Sequence, residues 1–87
     1  MLIGSAPTTL TNETQAGGTT SSPGALASHP GLKRGVIVQC DIGSSNAITI
    51  NSSIVLQPGD REFFPVANTN QISWGTAGSA TVNFWCI

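Results

Sequence analysis

Val36-Ile37-Val38-Gln39-Cys40-Asp41-Ile42 and Ala80-Thr81-Val82-Asn83-Phe84-Trp85-Cys86-Ile87 decide the fold class. Both alternate with the period of two that belongs to a β-strand. Val36, Val38, Cys40 and Ile42 share one face, and Ile37, Gln39 and Asp41 the other. In the terminal stretch Ala80, Val82, Phe84 and Cys86 face one way, and Thr81, Asn83, Trp85 and Ile87 the opposite way. Each stretch therefore has a core side. Each also has a second side that is partly apolar through Ile37, Trp85 and Ile87, and an apolar second face on a small sheet calls for a cover.

Between these two stretches lie shorter segments of the same kind. Ile48 and Ile50 mark a second strand and Ile54-Val55-Leu56 a third, separated by Asn51-Ser52-Ser53. Gln57-Pro58-Gly59-Asp60 has Pro and Gly at the central positions of a type II turn, where Gly accepts positive φ. Arg61 to Val66 reads as a fourth strand, with Pro65 marking an edge or a bulge. Gln71 to Trp74 reads as a fifth, after the Asn68-Thr69-Asn70 loop, and Ala80 to Ile87 is the sixth. No stretch supports a useful helix. The expectation is an all-β module, a small antiparallel sandwich or barrel of about six short strands, over residues 33–87.

Residues 1–32 have a different composition. Pro7, Pro23 and Pro30, five glycines and runs of Thr and Ser leave neither helical nor strand periodicity. The expectation is an extended Gly/Ser/Thr/Pro-rich arm with isolated hydrophobes at Leu2, Ile3, Leu10, Leu26 and Leu32, spaced as anchors on a partner's groove or sheet edge. An inert tether is the plainer reading of the same composition. The remaining module of about 55 residues is marginal in size, because such a domain buries only roughly 60% of its unfolded surface.

The chain has 87 residues, of which 8% are charged, and a net charge of −1. An average soluble domain carries about 25% charged residues. The cations Lys33, Arg34 and Arg61 are too few to track a phosphate backbone, so no nucleic-acid partner is expected. A neutral surface of Ser, Thr, Asn, Gln and Gly gives little repulsion between copies and favours a homo-oligomer. No segment approaches the length of a membrane span, and Met1-Leu2-Ile3 runs straight into Gly-Ser-Ala-Pro without a signal-like n-region. Synthesis in a cytosol is expected.

Chemistry-bearing residues are sparse. His29 is the single histidine, and with two separated cysteines and four acids no catalytic, cofactor or metal constellation assembles. The expectation is a non-enzymatic protein without a cofactor. Asp60-Arg61-Glu62 reads as a solvated turn with a local ion pair. Cys40 and Cys86 lie in phase on strands that could close the sheet. They are either a disulfide or two buried thiols. Trp74, Trp85, Phe63 and Phe64 are either core or a sugar-stacking platform.

Leu56-Gln57-Pro58-Gly59-Asp60, Pro65-Val66, Asn68-Thr69-Asn70-Gln71-Ile72, the small-residue turn after Trp74 and the hydrophobic last strand together resemble the short all-β modules of small virion proteins of tailed bacteriophages. The similarity is to capsid decoration (cement) and head-associated proteins, over about residues 36–87. It implies a structural protein on the capsid surface of a virion, made in the host cytoplasm. It also implies a homo-oligomer, with a trimer favoured, that binds the major capsid protein or another virion protein. The residues expected to make partner contacts are Leu2, Ile3, Leu10, Leu26, Leu32, Ile37, Trp85 and Ile87. The alternative expectation is a carbohydrate- or receptor-binding module of a phage fibre or tail, with a tryptophan exposed beside Asn and Gln donors.

Overall fold

In the computed structural model, which describes residues 16–87, eight strands follow one another. They are β1 (Ala16–Thr20), β2 (Gly24–Ala25), β3 (Val36–Cys40), β4 (Ile48–Ile50), β5 (Ile54–Leu56), β6 (Arg61–Phe64), β7 (Ser73–Thr76) and β8 (Val82–Cys86). Among the described residues one 3-10 turn, Thr69–Gln71, precedes β7. The alternating β3 and β8 pair antiparallel at the centre of one sheet, with Ile37 opposite Trp85 and Val38 opposite Phe84. That sheet has the order β1-β8-β3-β6, and a second antiparallel sheet has the order β2-β7-β4-β5. The chain is thus all-β and its two sheets stack as a sandwich. Their interleaved order is that of an eight-strand jelly roll.

The core is the inward face that the alternation marks within the strands, but Ile42, placed on that face with Val36, Val38 and Cys40, lies beyond the end of β3 and is 82% exposed. Val36, Val38, Cys40, Val82, Phe84 and Cys86 from the first sheet meet Ile48, Ile50, Leu56 and Trp74 from the second. Ile72 and Ala80 close the ends. Within this core the indole N–H of Trp74 has no acceptor among the described residues. Cys40 pairs with Val82 and Cys86 with Val36, so the two thiols lie four residues apart along the ladder, about 13 Å. A disulfide needs Cα atoms within about 7 Å. Both cysteines are free and buried, and burial pushes the Cys86 thiol up in pKa, which keeps it neutral.

The turns follow their sequence. Asp60 N–H donates to Gln57 O at 2.8 Å with Gly59 at φ 95°, and the Asp60 carboxylate accepts from Gln57 N–H at 3.0 Å. β6 is an edge strand that ends before Pro65, as a proline there requires. Between β4 and β5, Ser53 N–H returns to Ile50 O at 3.0 Å, with Asn51 at φ 49° and Ser52 at φ 64°. Two consecutive positive-φ residues are what a type I′ turn demands, and Ser is a poor occupant of the second. Replacing Ser52, which is exposed, by Gly is expected to stabilise the fold by about 0.5–1 kcal/mol. A urea midpoint no higher than that of the wild type would rule this out.

The sequence boundary at residue 33 needs correction. Residues 1–15 lie outside the described residues, but residues 16–32 are part of the sandwich. β1 adds to the β8 edge and β2 to the β7 edge. Between them and β3, Leu26 N–H donates to Ile72 O and Leu32 N–H to Ala67 O, each at 3.0 Å. The Thr69 hydroxyl, fully buried, donates to Ala27 O at 2.6 Å. The module therefore has eight strands, against the six expected. The reason lies in Gly17 and Gly18, which read as loop residues in isolation. In the sheet the Phe84 ring lies 3.1 Å from where a Cβ on Gly18 would be, and the Trp85 ring 3.6 Å from one on Gly17. Glycine lets both rings lap over the edge strand, so β8 supplies the apolar cover that β1 lacks.

Candidate functional site

The outer face of the first sheet carries the side chains that the core does not use. Its register sets them in rows across the strands. Gly17, Trp85, Ile37 and Phe63 form one row, and Thr19, Asn83, Gln39 and Arg61 the next. Beyond these, Thr81 and Asp41 extend the polar end, with Ser21 Oγ 2.9 Å from Thr81 Oγ1. Ile87 extends the apolar end, paired with Gly35 through two backbone hydrogen bonds of 2.9 and 3.1 Å. One half of the face is thus apolar and the other polar, because residues two apart on a strand share a face.

The apolar half is mostly closed already. Ile37 and Ile87 are each 6% exposed, Trp85 is half-buried, and Phe63 is 44% exposed. The Arg61 guanidinium, on the edge strand, lies 5.8 Å from the Trp85 ring centroid. A cation over an indole at the surface contributes about 0.5–1 kcal/mol. This is a different use of Arg61 from the local ion pair expected in Asp60-Arg61-Glu62, and among the described residues no ion pair joins these three. Strand geometry explains the change, since Arg61 projects over the sheet.

The polar half is a ladder whose members satisfy one another. Thr19 Oγ1 donates to Asn83 Oδ1 at 2.9 Å. Asn83 Nδ2 donates to Gln39 Oε1 at 3.2 Å and to Asp41 Oδ1 at 2.9 Å. Gln39 Nε2 reaches Gly59 O at 3.5 Å. The Asn83 amide and then the Gly43 N–H hold the Asp41 carboxyl below its ordinary pKa of 3.8, since both bonds favour the charged form. The consequence for stability has a definite sign. A depressed folded-state pKa gives a contribution present above the unfolded value and lost as pH falls through the folded one. Stability should therefore decline below about pH 4, and Asp41→Asn should flatten that limb of an acid titration followed by tryptophan fluorescence. An unchanged acid limb would mean that the ladder does not hold the carboxylate.

The residues marked from the sequence separate into three groups. Leu2, Ile3 and Leu10 lie outside the described residues. Leu26 is 3% exposed in the core and Leu32 packs against it, so both anchor the chain to itself instead of to a partner. Ile37, Trp85 and Ile87 do share the outer face as the alternation required. Sequence reasoning did not single out the Gln39–Asn83–Thr19 ladder: Gln39 and Asn83 follow from the same alternation one row further along, whereas Thr19 lies on β1, which no alternation marks. Of the four aromatics weighed as a platform, Trp74 and Phe64 are inside, and Trp85 and Phe63 outside. His29 is half-buried, with its ring 6.3 Å from that of Phe84, and its backbone N–H donates to Asn68 Oδ1 at 3.0 Å.

A concavity lies where the β1–β2, β3–β4 and β7–β8 connections meet, lined by Ser21, Ser44, Ser45, Thr76, Ser79 and Thr81 among others. Its lining has neither an aromatic nor a charged side chain. The Ser44 hydroxyl there is engaged with Thr81, accepting its N–H at 3.0 Å. Among the described residues no group of three His, Cys, Asp or Glu could hold a metal ion, and no helix is long and apolar enough to cross a membrane. Comparison with protein-family models, with curated proteins and with solved structures finds no match.

Proposed function

We propose that this chain is a non-enzymatic structural protein of a bacteriophage virion. In this reading it decorates the capsid as a homo-oligomer, with residues 1–15 docking on the major capsid protein. The observation that supports it best is the strand order. A complete eight-strand jelly roll is assembled from 72 residues, and viral capsid domains are among the established users of that architecture. The warrant is an analogy of architecture, and the resemblance of residues 36–87 to small phage β-modules points the same way. The neutral exterior fits a protein that lives in broad contact with other subunits. Many weak contacts in a symmetric lattice act together, because each bound copy raises the effective concentration of its next contact.

With Leu26 and Leu32 committed to the module, the docking arm contracts to residues 1–15, with Leu2 and Ile3 as its terminal anchors. The rigid knob is the sandwich. The carbohydrate-binding reading draws on Trp85 beside Asn83 and Gln39, but both Asn83 amide N–H groups are already given to Gln39 and Asp41, and Arg61 lies over the indole.

Co-sedimentation with shells of the candidate major capsid protein tests the proposal. Full-length protein is expected to travel with the shells, and a variant lacking residues 2–15 to remain at the top of the gradient. Equal binding by both would remove the arm from the mechanism, and no binding by either would remove the capsid.

A further inference from the structure

Four large apolar side chains are exposed among the described residues: Ile42 at 82%, Val55 at 56%, Phe63 at 44% and Ile54 at 39%. They do not scatter. Ile54 and Val55 are on β5, Phe63 is on β6, and the Ile42 side chain lies against Gly59 in the turn that joins β5 to β6. β5 and β6 are the edge strands on one side of the sandwich, and β1 and β2 are those on the other. These four exposed side chains are therefore all on one side.

The edges on that side differ in protection. β6 carries Arg61 and Glu62 and stops at Pro65, which are devices that discourage strand addition. β5, Ile54-Val55-Leu56, carries no charge and no proline. Ile54 points inward in phase with Ile50 and Leu56, yet remains exposed because no further strand among the described residues lies beside it. On the opposite side, β1 presents glycines and threonines, and β2 is two residues long.

We propose that the β5 edge accepts residues Thr8–Thr11 of a neighbouring copy as an added strand, with Leu10 packing beside Val55 on the outer face. This deepens the self-association in the proposed function and rests on that reading. Fifteen residues precede Ala16, and within them Thr8-Thr9-Leu10-Thr11, bounded by Pro7 and Asn12, is an uncharged run rich in β-branched residues. The point of attachment selects the neighbour over the same copy. Ala16 begins β1, three strand spacings and one sheet spacing from β5 on the same molecule, a surface path of about 24 Å. The six steps from Ala16 back to Leu10 extend at most about 22 Å, which falls short of that path. The β1 side of one copy against the β5 side of the next is a head-to-tail contact, and it closes into a ring if the rotation allows. Leu2 and Ile3 remain beyond the added strand, available to the shell.

Mixing two full-length variants tests this without any shell present. One carries Leu10→Cys and the other Val55→Cys. The native Cys40 and Cys86 have no exposed surface and do not compete. Mild oxidation of the mixture is expected to give a cross-linked pair on a non-reducing gel, with a 10–55 disulfide by peptide mapping. In sedimentation, Val55→Lys is expected to weaken self-association about tenfold to hundredfold while keeping the wild-type circular dichroism. Any of three results would overturn the proposal: no mixed cross-link, a 10–55 disulfide within one chain in the double variant, or an oligomer indifferent to Val55→Lys. Loss of shell binding with the cross-link intact would count against the capsid reading alone and leave this one standing.

Discussion

Gly35→Ala is expected to abolish the native fold at physiological temperature. Gly35 has φ 148°, and a Cβ there would run into the carbonyl of Phe64, with the Pro65 Cα at 2.9 Å. The residue cannot move aside, because its N–H and C=O are both paired with Ile87 at 3.1 and 2.9 Å. It is thus pinned to the last residue of the chain on one side and pressed against the end of β6 on the other. The strained φ alone costs about 1–3 kcal/mol, and overpacking against backbone adds a similar amount. A domain of this size has a total stability of about 4–11 kcal/mol. A loss near 4 kcal/mol would lower Tm by roughly 15–30 °C. Gly31→Ala is the control. Gly31 also has positive φ, at 75°, but open space around its missing Cβ, so only the smaller backbone penalty of about 1–2 kcal/mol applies. Thermal melts of the two variants should differ widely, and equal melting temperatures would show that the close approach at Phe64 is not what selects glycine.

The contrast between Gly35 and Gly17-Gly18 shows which parts of this fold were legible in advance. β3 begins at Val36 where the alternation begins, and the phase of β3 and β8 follows from alternation alone. Those two strands carry their own apolar face, so the pattern is local. β1 carries none. Its reason for being a strand is the pair of rings that β8 lays over it, some 65 residues away in sequence, and composition alone makes it a linker. The start of β7 shows a milder case. The expected strand Gln71–Trp74 begins instead at Ser73, because Asn68 and Gln71 form a capping box that winds the intervening residues into a 3-10 turn. The Asn-x-x-Gln spacing was there to be read. Ile72 and Trp74 still reach the core, which decides for Trp74 between the two readings left open by the sequence. The site divides in the same way. Ile37, Trp85 and Ile87 were placed on one face by period two. That Leu26 and Leu32 face inward could not be known without the pairing of β2 with β7 and the bonds to Ala67 and Ile72.

Truncation turns that difference into a measurement with a large expected effect. Removing residues 2–15 should leave a folded sandwich, because every strand and every core side chain described above lies beyond that point. Removing residues 2–32, the arm as composition defines it, should leave a chain that does not fold. It would lose the whole β1 ladder from Ala16↔Cys86 to Thr20↔Val82 and the β2 pairing with Trp74 and Ser73. It would lose the burial of Leu26, worth about 1.5–3 kcal/mol. It would also leave the Thr69 hydroxyl buried without its Ala27 acceptor, at about 1–3 kcal/mol. The rings of Phe84 and Trp85 would lose the backbone they lie against, exposing apolar surface on both faces of β8 at once. Together these losses match the stability available to a domain this small, which is why the effect should be collapse and not softening. Amide chemical-shift dispersion in an NMR spectrum separates the outcomes. Native-like dispersion for residues 33–87 alone would mean that six strands are a sufficient domain and that the first two are an accessory. Dispersion lost on removing only residues 2–15 would place part of the fold in those residues.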